Sequence, residues 1–144
     1  MEQVHIQIKT KIDDSTGEIQ QWTHQYTGMI YHKNEKDIYL RYEENEEQSL
    51  GKTNTILKWE KNQSPAILKL VRQGETKANQ VYQVGRPHRH LYQTPFGTYE
   101  MVIQPIKVNV HVEHENQGSI ELDYDLFIGD QKAGHYQLWI EYHP

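Results

Sequence analysis

The chain has 144 residues, 35% hydrophobic and 24% charged, a size at which one domain spanning residues 1–144 can bury enough surface to fold without staples. It contains no cysteine, which excludes a disulfide scaffold, a thiolate nucleophile, a cysteine-based zinc site and an iron–sulfur cluster, and which suits a reducing compartment. Twenty acidic residues against 15 basic ones leave a net charge of −5, which argues against a polyanion binder and so against nucleic acid as a partner.

The start, Met1-Glu2-Gln3-Val4-His5, lacks the cationic residues and apolar run of a secretion signal, and no stretch approaches the roughly 20 apolar residues of a spanning helix. The expectation is a cytoplasmic protein with no membrane partner. Apolar residues alternate with polar ones and almost nowhere recur at helical spacing, which predicts an all-β chain. In the first strand Val4, Ile6, Ile8, Thr10 and Ile12 share a face, and Asp13 to Gly17 turn the chain. The second strand runs from Glu18 through Trp22, His24 and Tyr26, with Gly28 read as a bend or bulge before Met29-Ile30-Tyr31. After a turn at Lys33–Lys36, Ile38, Leu40 and Tyr42 are the inward residues of the third strand. The run Glu43-Glu44-Asn45-Glu46-Glu47 reads as a solvated loop.

The fourth strand, about Thr53 to Lys61, sets Thr53, Thr55, Leu57 and Trp59 against Asn54, Ile56 and Lys58. The fifth, Ala66 to Arg72, is apolar on both faces, and Gln73-Gly74-Glu75 connects it to a strand from Lys77 to Val84. A short strand follows over His88–Thr94, then a turn at Pro95-Phe96-Gly97 and the longest strand, Thr98 to Glu115. Pro105 within it marks a bulge, because proline has no N–H for a ladder. The inward parity switches there, from Tyr99, Met101 and Ile103 to Ile106, Val108, Val110 and Val112. Two further strands carry Ile120 to Ile128 and Tyr136 to Tyr142 at period two. Nine or ten strands joined mostly by short turns fit an antiparallel meander, and closure into a barrel removes the two long edges an open sheet would leave.

Several pieces of the chain, in order, are Gly28–Tyr31, Ile38–Glu44, Thr53–Lys58, Leu70–Gly74, Tyr92–Gly97 and Gly118–Tyr124. On these the chain resembles the YwiB-like family of bacterial proteins, a domain of unknown function with a calycin-type, lipocalin-like β-barrel, over nearly its whole length. The resemblance implies a single antiparallel, mostly meandering barrel of about eight to ten strands, a fold that often encloses a small-molecule cavity. It brings no activity, cofactor or site residue with it.

His88-Arg89-His90 places two imidazoles at i and i+2 on one face of a strand, the spacing of two metal ligands, but no third ligand is near in sequence. Polar strand-end histidines explain the pair as well, and no metal is assigned. Glu121, Asp123 and Asp125 alternate with apolar residues as an outward strand face does. No glycine-rich phosphate loop and no nucleophile elbow occur, so no catalytic residue and no cofactor is assigned. Arg72 stands out because it ends an apolar run and its guanidinium needs a partner there, either a carboxylate of a neighbouring strand or an anionic ligand group. Tyr39, Tyr42, Tyr82, Tyr92, Tyr99 and Tyr124 lie on or near strands, and a tyrosine inside a barrel offers an apolar wall with one polar handle. The leading expectation is a non-enzymatic binder of a small, partly apolar or anionic molecule, with Arg72, Tyr42, Tyr82, Tyr92 and Tyr99 as contacts. One alternative is a barrel filled by Trp22, Trp59 and Trp139 that serves as an interaction or homodimerisation module. Another is an enzyme using His88, His90 or Glu43.

Overall fold

The computed structural model describes residues 1–44 and 52–144. Ten strands run in chain order: β1 (Glu2–Asp14), β2 (Ile19–Lys33), β3 (Asp37–Glu44), β4 (Thr53–Glu60), β5 (Leu68–Gly74), β6 (Ala78–Tyr82), β7 (His88–Thr94), β8 (Gly97–His114), β9 (Gln117–Ile128) and β10 (Gln131–His143). They form one antiparallel sheet in the order β6-β5-β4-β3-β2-β1-β10-β9-β8-β7. Two meanders, β1 to β6 and β7 to β10, are thus joined by the first and last strands, in register from His5 opposite His143 to Asp14 opposite Gly134. The free edges β6 and β7 meet at one backbone bridge, where the N–H of Lys77 and of Gln93 each donates to the other's carbonyl at 2.9 Å. Every edge but this short seam is paired, and the barrel is nearly closed. Among the described residues no helix is long and apolar enough to cross a membrane.

The alternation read from the sequence decides what faces inward. Val4, Ile6 and Ile8 from β1, Ile38, Leu40 and Tyr42 from β3, Leu57 and Trp59 from β4, and Ile120, Leu122 and Tyr124 from β9 all enter the core. The bulge at Pro105 is present: Pro105 pairs with Tyr124 and Lys107 with Asp123, leaving one extra residue between them. That residue is Ile106, which is 51% exposed, so it belongs to neither inward set and Val108 is the first inward side chain after the switch. Glu43 and Glu44 are not loop residues either, since they pair with Asn54 and Thr53 as the last residues of β3. The rest of that acidic run, Asn45 to Glu47, lies outside the described residues.

Gly28 does not bend its strand. It pairs with Val4 on one side and Tyr42 on the other in an unbroken ladder. Its need is for closeness: a Cβ there would lie 2.4 Å from the Arg41 carbonyl oxygen and 2.6 Å from Cδ1 of Ile6. A backbone atom cannot rotate away as a side-chain end can, so the sheet itself would have to shift. Gly28→Ala is expected to lower unfolding free energy by about 1–3 kcal/mol, the usual range for overpacking, read as a lower urea midpoint at unchanged slope. A midpoint equal to that of the parent protein would show that the strands part there freely.

Candidate functional site

The barrel is filled in one half and hollow in the other. Ile6, Ile30, Ile38, Leu40, Leu57, Leu68 and Leu122 pack the filled half. Trp59 joins them, its ring centroid 6.1 Å from that of Tyr142. Trp22 instead stands partly exposed beside the hollow half, and Trp139 faces out. The hollow half holds a cavity of about 430 Å³. That lies in the range of small-molecule sites. Its mouth opens where β1, β2, β9 and β10 extend past the shorter strands, among Ile12, Trp22 and Ile128.

Two runs of aromatic side chains line this cavity. Trp22, His24 and Tyr26 share the inward parity of Ile30 on β2, and their successive centroids lie 6.5 and 6.2 Å apart, with Tyr26 4.9 Å from Tyr42. Tyr82, Tyr124 and Tyr136 form the second run: Tyr82 meets Tyr124 edge-on at 5.1 Å and Tyr124 stacks on Tyr136 at 5.3 Å. Such rings offer flat apolar surface at low entropic cost.

Arg72 reaches the cavity because it follows the inward parity of Leu68 and Leu70 on β5. Its Nη2 lies 3.5 Å from Oε1 of Glu44, the last residue of β3, and both side chains are about four-fifths buried, at 20% and 21% exposure. This is a loose pairing, well beyond the 2.7–2.9 Å of a close charge-assisted bond. Its Nε–H, also buried, has no acceptor among the described residues. Directly across the ladder from Arg72, Thr55 keeps its buried Oγ1 without a partner as well. Burial works against the guanidinium charge, and Glu44, foremost among its neighbours, favours it, so that Arg72 stands above its ordinary value. Tyr42 donates to Glu44, and burial foremost, then the Glu44 charge, raises its hydroxyl far above the usual phenol value. Arg72 is therefore a cation and Tyr42 a neutral donor at any physiological pH.

A chain of hydrogen bonds leads from the cavity to the seam. Tyr124 donates to Tyr82. Tyr82 donates to Oε1 of Gln80 at 2.9 Å, and Nε2 of Gln80 donates to Nε2 of His90 at 3.1 Å. An imidazole that accepts there is neutral. Burial first, and then His88 and Arg72, lower His90 below the ordinary histidine value, against the pull of the His88 backbone.

The residues singled out in the sequence separate accordingly. Arg72, Tyr42, Tyr82 and Tyr92 all line the cavity. Tyr99 does not: it pairs with Tyr92 and shares its face, but the β7–β8 hairpin carries it past the mouth, where it is 42% exposed. Glu43 points outward and only its neighbour Glu44 reaches the cavity, which removes Glu43 from any chemistry inside. His88 and His90 do share a face, with stacked rings 5.7 Å apart, but His88 bonds the Asn79 carbonyl across the seam and His90 bonds Gln80. Among the described residues no three His, Asp or Glu side chains converge as a metal would require. Tyr39 faces out and stacks on Tyr31, with Lys58 near its ring. Asp123 and Asp125 lie on the outer face, where both flank the ring of His135 and Lys132 lies 3.3 Å from Asp125.

His24, Tyr26, Glu44, Gln80 and Tyr136 line the cavity without having been singled out, and Trp22, expected to fill the barrel, lines it instead. The signal for four of them was parity alone: counting by twos from Ile30 or from Leu40 delivers Tyr26, His24 and Trp22, or Glu44. The arrangement can hold a flat apolar body between aromatic faces and offer its polar end one arginine and one carboxylate.

The model of a family described as a domain of unknown function (DUF1934) matches residues 6–140. The chain is 29% identical over 140 residues to the uncharacterized beta-barrel protein YwiB of Bacillus subtilis (strain 168), covering 96% of this chain and 92% of that protein. The crystal structure of the ywiB protein from Bacillus subtilis superposes with a TM-score of 0.83 at 27% identity, over 98% of this chain and 90% of that one.

Proposed function

The chain belongs to the DUF1934 family of uncharacterised β-barrel proteins, and from that premise we propose that it is a non-enzymatic binder of a small, partly apolar molecule whose anionic group meets Arg72. The observation that carries this reading is the Arg72 Nε–H, buried on the cavity wall without an acceptor among the described residues. A buried donor left unmade costs about 1–3 kcal/mol, more for a charged group. A ligand oxygen would satisfy it while the aromatic runs take the ligand's body. Glu44, the one carboxylate on the cavity wall among the described residues, is already engaged by Arg72 and Tyr42, which supports binding without turnover. The lack of cysteine suits work in the cytoplasm.

Anilinonaphthalene sulfonate, an aromatic anion whose fluorescence rises in apolar sites, tests it directly. The protein is expected to take up one dye per chain, and Arg72→Gln to weaken that binding roughly tenfold to hundredfold, as the loss of a hydrogen bond to a charged group implies. Phenylnaphthylamine, the same body without the charge, should bind both proteins alike and so reports that the variant keeps its cavity. Dye binding that is absent, or indifferent to Arg72→Gln, would overturn the proposal.

A further inference from the structure

Resting on that reading, we infer that the ligand is a zwitterion: a flat aromatic body carrying a carboxylate for Arg72 and, next to it, an ammonium or comparable N–H donor for Glu44. Glu44 lines the same cavity and stands 3.5 Å from Arg72, so the wall presents a cation and an anion side by side, with no net charge. A simple anion placed on Arg72 would sit within a few ångströms of the Glu44 carboxylate, and in a site sheltered from water that repulsion is felt strongly. A dianion such as a phosphate would fare worse. A simple cation would meet the converse problem at Arg72.

Both partners also have capacity to spare. Arg72 gives Glu44 one long contact, and its Nε–H has no acceptor among the described residues. Glu44 accepts from Arg72 and from Tyr42, and a carboxylate has lone pairs for further donors. A ligand with adjoining acceptor and donor completes both groups at once, without having to break the pair.

Three probes with one ring system test this by calorimetry: tryptophan, a zwitterion; indole propionate, an anion; and tryptamine, a cation. The wild-type protein should bind tryptophan about tenfold more tightly than either of the others. Glu44→Gln should weaken tryptophan about tenfold and strengthen indole propionate, whereas Arg72→Gln should weaken both of these and leave tryptamine no worse. The wild-type ranking stands independently of whether either variant folds. Indole propionate or tryptamine binding as tightly as tryptophan, or Glu44→Gln moving tryptophan and indole propionate in the same direction, would overturn the zwitterion. If the naphthalene dye binds through Arg72 while the indoles show no such order, the zwitterion falls and the binding cavity stands. If the dye does not bind either, both fall.

Discussion

Taken from pH 9 towards pH 12, the protein is expected to lose its fold in a steep, cooperative transition in which several tyrosines ionise together. Tyr82 is buried and, chiefly for that reason, its hydroxyl is pushed up to about 12 in the folded chain. In the unfolded chain it titrates near 10. The folded state thus holds its proton through a window in which the unfolded state has released it. Stability is whole below about pH 10 and falls as the pH rises through that window, by about 1.4 kcal/mol per pH unit for each such group. Tyr42 and Tyr124 are held neutral by burial in the same way, so their losses add to that of Tyr82. Over two pH units three tyrosines approach the whole stability of a typical domain, about 5–15 kcal/mol. Phenolate absorbance and circular dichroism recorded along one titration should change together. Tyrosines ionising one by one near pH 10 in a folded protein would show that the hydroxyls meet water.

The second large effect separates the two halves of the barrel. Leu40 is fully buried in the filled half, paired with Ile30 on β2 and Leu57 on β4, themselves buried. Leu40→Ala leaves a hole its neighbours close only in part, and should cost about 2–5 kcal/mol in urea unfolding. Leu138 borders the hollow half. Leu138→Ala enlarges a space that already exists, so only the transfer of the lost methyl groups counts and the cost should be roughly half as large. Equal costs at the two positions would mean that the hollow half is as tightly packed as the filled one. Enlarging the cavity in this way also leaves the Arg72 and Glu44 pair untouched.

Strand positions were legible because a period of two is a strong signal and nearly every strand here has one wet face. Even the bulge at Pro105 was written in the chain, since proline cannot donate and the apolar parity changes after it. Gly28 misled, because a glycine that lets backbones approach looks in sequence like a glycine that bends one. Arg72 is legible from its apolar neighbours, Tyr42 from parity, and Tyr82 only as a tyrosine on a strand. The hollow itself was not legible. It exists because β3 to β6 are short while β1, β2, β9 and β10 run on, and relative strand length matters only once the order of the sheet is known. Glu43 and Glu44 show the same limit at the scale of one residue. Adjacent and chemically alike, they are separated by which side of the sheet each faces, and the strand had to be extended to its last pair with Thr53 before the right one could be chosen.

The meeting of β1 with β10 also orders the protein's synthesis in time. Once made, β1 can form its hairpin with β2 at once, but its other edge waits until β10 has been made. Until then the nascent chain carries an unpaired apolar strand, the kind of edge that recruits neighbours on a crowded polysome. Long-range pairing of this sort also slows the search for the native state, since β1 and β10 must find each other across eight intervening strands before the barrel can close. The opposite seam imposes no such delay, because β6 and β7 are consecutive in the chain.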